Sequence, residues 1–159
     1  MTERELSAAA RRLLDDVDTH GWHSQHVFDP ELARPNFSYS VGFTQTLGAP
    51  EFIVFGLHRD VMHDMLGEVF RQLKAGRKVE GDQRWHGLTE DFDCIGKKAS
   101  HDGLFTAYAV LADWFWQRQG QTGHPAMVQL VWPGLLDGLF PWDEGCAESV
   151  VAAQPRLWA

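Results

Sequence analysis

Three of the eight histidines crowd residues 20–26: His20, His23 and His26. Imidazole nitrogens at such spacing are the raw material of a zinc site or of proton transfer. The stretch GWHSQHVF, residues 21–28, decides between those uses and a structural one. Its Trp, Val and Phe favour a strand. In a strand, Trp22, Ser24, His26 and Phe28 share one face, and His23, Gln25 and Val27 share the other. His23 and His26 then point apart and cannot hold one ion together. No zinc-type spacing accompanies them, so no metal site is expected. The expectation is a half-buried histidine hydrogen-bonded to a neighbour, and His26 is the one preferred for contact with a ligand.

Four further places could carry chemistry. Ser38, Ser40 and Gly42 form a small-residue face that could floor a pocket, with Ser40 at its centre and Tyr39 on the opposite face. Close packing of a helix is the stronger expectation there. Gln129 interrupts an apolar strand, and a buried amide must find hydrogen bonds from backbone, water or a ligand. Trp132, Trp142 and Asp143 could gather at one end of a sheet. An Asp between indoles would be partly desolvated and suited to general-acid work, although an Asp in a turn is the simpler reading. Cys94 and Ser40 lack a nucleophile elbow, and Cys94 could meet His101 only through the fold. His58 and His63 fall on different helical faces. No phosphate-binding glycine loop occurs.

The elements that must position these groups follow from periodicity. Thr2 and Glu5 make a capping-box pattern. Leu6, Ala10, Leu13, Leu14 and Val17 recur at helical spacing up to a stop at Gly21. Residues 22–28 and 37–43 alternate as strands joined by the proline-containing DPELARPN, a hairpin with a long loop. Residues 51–57 and 126–132 are apolar on both faces, as interior strands are. TQTLGAP reads as a loop. Asp60 can cap a helix that buries Met62, Met65, Leu66, Val69, Phe70 and Leu73 and stops at Gly76. Residues 77–90 look irregular, and residues 92–98 are a weaker strand. Asp102 can cap a helix over LFTAYAVLADWFWQ. GLFPWDEG reads as a turn.

The totals bound what this arrangement can be. The chain has 159 residues, 44% hydrophobic and 23% charged, enough for one domain with a real core. A formal charge of −8 opposes nucleic acid and anionic membranes, so neither is an expected partner. No apolar run reaches the length of a membrane span and no leader pattern opens the chain. Two cysteines and these absences place the protein in the cytoplasm. Seven tryptophans imply packing or an aromatic-lined pocket.

The stretches GWHSQHVFDPE, PNFSYSVGFTQTLGAPEFIVFGL and QLVWPGLLDGLFPWDEG resemble the bacterial domain-of-unknown-function family 4262. The resemblance runs from about His20 to Pro155. It implies one bacterial cytoplasmic domain and transfers no activity, cofactor or catalytic role. The fold expected is a single α+β domain over residues 1–159, with a mostly antiparallel sheet of about five strands and helices packed on it. Residues 1–20 form the N-terminal helix, 21–145 the sheet-and-helix core, and 146–159 a tail of short helix or coil. The function expected is a binding module for a protein or small ligand, without catalysis, using His26, Ser40, Gln129, Trp132, Trp142 and Asp143. Its partner is another protein, a second copy of the chain, or a small molecule of unknown kind. The alternative is a small enzyme with a His/Asp cleft, using a metal or a flavin. No cofactor is assigned.

Overall fold

The alternating and apolar stretches form one sheet in a computed structural model that describes residues 3–159, with side chains from Ser7 onward. The Thr2–Glu5 capping box therefore lies outside the described side chains. Helix α1 (Glu3–His20) leads into the hairpin of β1 (His23–Val27) and β2 (Phe37–Val41). A short helix α2 (Phe43–Leu47) connects to β3 (Glu51–Phe55), followed by α3 (Arg59–Lys74). Then come β4 (Gln83–Trp85), β5 (Cys94–Lys98), a π-helical turn (Leu104–Tyr108), α4 (Val110–Arg118), β6 (Met127–Val131) and α5 (Glu148–Ala152). The sheet order is β1-β2-β3-β6-β5-β4. Only β3 and β6 run parallel; all other neighbours are antiparallel.

The fold is α+β as expected, with six strands rather than about five. The two apolar runs are interior strands: β3 lies between β2 and β6, and β6 between β3 and β5. Both faces of the sheet are covered, so both parities of side chain are buried. On one face Phe37, Tyr39, Val41, Ile53 and Phe55 pack with Leu13 of α1 and Leu111 and Phe115 of α4. On the other, Phe52, Val54 and Leu130 pack with Met62, Met65, Leu66 and Val69 of α3. Burying side chains such as Phe37 and Phe52 contributes roughly 1.5–3 kcal/mol each.

Four local expectations change. The predicted helix over residues 104–117 is broken at Ala109, whose φ of −89° and ψ of 53° are not helical. The Tyr39 hydroxyl accepts the Leu111 N–H at 3.1 Å and so caps α4 from across the core. Tertiary contact thereby overrides the continuous helical period. TQTLGAP is not simply a loop, because Phe43–Leu47 is helical. The irregular stretch 77–90 contains β4, a three-residue edge strand too short to show periodicity. It is held by Trp85, which is fully buried and closes over Gly96, where an added Cβ would lie 2.9 Å from the indole nitrogen. His58, not Asp60, caps α3, with its ring accepting the Asp60 N–H at 3.1 Å.

Candidate functional site

The opening histidines belong to a strand, and they do face apart. His23 is buried, with Nδ1 2.6 Å from Asp16 Oδ2 on α1 and Nε2 2.9 Å from Gln25 Oε1. Both ring nitrogens are engaged, so neither is free to exchange a proton with a ligand. His26 turns to the α3 side and meets Ser38 Oγ at 2.9 Å. Burial first, then the nearby charges of Arg59 and His58, hold its pKa below the ordinary imidazole value. Among the described residues, no group of three or more His, Cys, Asp or Glu side chains is placed to share a metal ion.

The small face of β2 has a structural occupant. Ser40 donates to Glu51 Oε1 at 2.8 Å and accepts the Phe52 N–H at 2.9 Å. Glu51 is buried at the start of β3 and also accepts the N–H groups of Gly42 at 2.8 Å and Phe43 at 3.2 Å. Those are first-turn donors that a helix leaves unpaired, and here a carboxylate from the next strand satisfies them. Gly42 makes the turn with φ 106°, and an added Cβ would meet Val17, Gly21 and Trp22 within 3.3 Å. Burial drives the Glu51 pKa up to about 7, against the opposing hydrogen bonds from Ser40, Gly42, Phe43 and Thr44. A serine and a carboxylate are thus joined, but they are sealed beneath α2.

The remaining candidates separate. Gln129 donates to the Pro155 carbonyl at 2.8 Å and accepts the Leu157 N–H at 3.1 Å. Its amide is therefore consumed in fastening the tail. Trp132 donates its indole N–H to the Phe55 carbonyl at 2.8 Å. Its backbone N–H and C=O both pair with the side-chain amide of Gln154, at 2.9 and 2.8 Å. Asp143 accepts the Phe140 N–H at 2.9 Å, which is the turn role. Cys94 is buried, and its thiol pKa is raised chiefly by that burial. Of the six site candidates, Trp142 lines a hollow of about 340 Å³, beside Lys97 and Trp158.

A more spacious region lies elsewhere. Trp22, the half-exposed residue ahead of β1, stacks on His63 at 5.6 Å and on Phe70 at 6.0 Å between ring centroids. It is flanked by two hollows of about 400 and 370 Å³ that share Trp22 and His63 in their walls. One is bounded by Asp64, Gly67, Glu68 and Arg71 of α3, the other by Asp16, His20 and Ser24. Three carboxylates therefore face this cleft against one guanidinium, and Glu68 and Arg71 pair with each other at 2.5 Å. The indole lies against the helix at Gly67, where an added Cβ would make ordinary contact with Trp22 at 3.6 Å. The sequence did hold a signal here. His63, Gly67 and Arg71 repeat at four-residue spacing on one helical stripe, with a mid-helix glycine at its centre.

The chain matches the family described as Domain of unknown function (DUF4262) over residues 16–147, and it belongs to that family. No curated protein and no solved structure matches it. No helix among the described residues is long and apolar enough to cross a membrane.

Proposed function

We propose that this member of the family is a non-catalytic binding module for a small ligand, and that the Trp22 cleft is the site. The observation that carries the reading is the pair of hollows, about 400 and 370 Å³, that share the stacked Trp22 and His63 as walls. Volumes of that order suit a small organic ligand. An indole face ringed by an excess of carboxylates favours an amine with an apolar body, through cation–π and ionic attraction. The engagement of both His23 nitrogens, and the sealing of Glu51 and Cys94 from solvent, support binding without turnover. A cytoplasmic setting belongs to the same reading, supported by two cysteines that are both free thiols.

The test uses 2-naphthylmethylammonium as the probe, followed by the indole N–H signals in ¹H–¹⁵N spectra. The Trp22 signal is expected to move saturably. Gly67→Leu should fill the cleft and weaken binding at least tenfold while preserving the fold. Binding that survives Gly67→Leu, or an unmoved Trp22 signal, defeats the assignment. The competing enzyme reading draws its support from His20 and His63, which line the hollow that Asp16 also borders. It predicts a new product mass after prolonged incubation with the amine, whereas a binding module returns the amine unchanged.

A further inference from the structure

A second tryptophan-lined hollow, of about 340 Å³, is separate from the Trp22 cleft and bears the opposite charge. Its walls come from the β6–α5 loop, β5 and the tail. Trp142 is fixed by stacking on Phe140, with centroids 5.1 Å apart and planes 1° apart. The Asp143 turn supports that loop from below. Trp158 is fixed by the bridge of Ala99 to its backbone and by the fastening of the neighbouring Leu157 to Gln129. The two indoles stand at 90°, with centroids 5.8 Å apart, so together they form a corner. Trp142 remains 42% exposed although its ring is held on a buried neighbour.

Two cations join this corner. Lys97 Nζ lies 4.5 Å from the Trp142 centroid, and the Arg156 guanidinium lies 5.6 Å from that of Trp158. No acidic side chain lines the hollow, which Ala159 also borders; Lys97 is ion-paired from outside it with Asp82, 3.1 Å from its Nζ and largely exposed. In a chain of net charge −8, anions are repelled by most of the surface. A concavity lined by two basic side chains and no acidic one, beside two indoles, departs from that balance. We propose that the Trp142–Trp158 corner is a binding site for a small planar anion, an aromatic carboxylate or phosphate, whose ring packs on the indoles while its charge meets Lys97 and Arg156.

Arg156 and Trp158 fall beyond residues 16–147, the segment shared with the family. Half of this site is therefore built on the tail, independently of the cleft at Trp22.

The experiment titrates the full chain with 2-naphthoate, 2-naphthyl phosphate and the uncharged 2-naphthalenemethanol, again reading the indole N–H signals. Trp142→Phe and Trp158→Phe assign the two relevant signals. The expected result is saturable movement of both with at least one anion, at least tenfold tighter than the alcohol. The tighter anion identifies the acidic group. Lys97→Gln and Arg156→Gln should each weaken that binding by three- to tenfold with thermal midpoints unchanged, and Gly67→Leu should leave it unaltered. Equal affinity for the alcohol, indifference to both Gln variants, or movement of Trp22 in place of Trp142 and Trp158 overturns the proposal. Failure of the amine at Trp22 has no bearing on it, because the two probes report on different signals.

Discussion

The two tryptophan hollows share an aromatic wall and differ in nearly everything that surrounds it. At Trp22 the indole packs on a histidine and a phenylalanine of one helix, and the rim is acidic. At Trp142 the indole leans on a loop phenylalanine, meets a second indole edge-on, and has cations beside it. Indole faces attract cations and pack against most apolar plates, so the aromatic wall alone selects little. The charges at the rim are left to sort ligands by sign. The supports differ as well. The Trp22 side rests on the Glu51-held turn at Gly42 and Phe43, and the Phe43 ring packs on Trp22 at 5.7 Å. The Trp142 side rests on glutamines that fasten the tail.

That contrast can be broken from either end. The largest effect is expected from Glu51→Gln, which places an amide where Ser40, Gly42 and Phe43 all donate. Loss of roughly 2–4 kcal/mol in urea unfolding is expected, together with disturbance of the Trp22 signal and none at Trp158. The penalty should depend on pH. Glu51 ionises near 4.5 when unfolded and near 7 when folded, so between those values the native state binds the additional proton. Wild-type stability therefore falls as pH rises from about 4.5 to 7, by at most on the order of 3 kcal/mol, and levels off above. The variant should lack that slope, so its deficit is greatest near pH 4.5 and shrinks toward pH 8. A deficit that grows with pH would show that the carboxylate is stabilised rather than strained by its burial.

A middle-sized effect is expected from Gln154→Ala. It leaves the Trp132 N–H and C=O without their partner. Such a loss costs about 1–3 kcal/mol, and it should shift the Trp142 and Trp158 signals while sparing Trp22. The smallest effect, and one of opposite sign, belongs to Gly67→Ala. The helix gains about 1 kcal/mol from replacing glycine, and the added methyl only touches the Trp22 indole. A raised melting temperature with amine affinity reduced less than threefold would match. A destabilised protein would mean that the indole cannot tolerate the methyl.

How legible these regions were follows from the range of the interactions that build them. Strands β1, β2, β3 and β6 could be read because alternation and two-sided burial are written in adjacent residues. The break at Ala109 could not, because the Tyr39 hydroxyl that caps Leu111 comes from 72 positions away. Glu51 gave no local sign of its role: a glutamate following Pro50 reads as a surface charge until the turn delivers its N–H groups. Gln129 was recognisable as an amide in need of partners, but the tail that supplies them was not. Of the site candidates, Trp142 was placed in a hollow, and the turn role of Asp143 was the simpler of its two readings. The Trp22 cleft escaped because its walls belong to α1, β1 and α3, brought together only by the sheet.

The glutamine fastening also separates the two hollows along the chain. Gln154 offers Trp132 one acceptor and one donor, as the peptide group of a neighbouring strand would, so a side chain imitates one more rung at the end of the ladder. During synthesis β6 leaves the ribosome some twenty residues before that rung exists. The walls of the acidic cleft all lie at or before Leu88, whereas the cationic corner needs the tail. Whatever binds at Trp142 therefore depends on residues 154–158, so a chain cut before Gln154 loses that corner and keeps every wall residue of the Trp22 cleft.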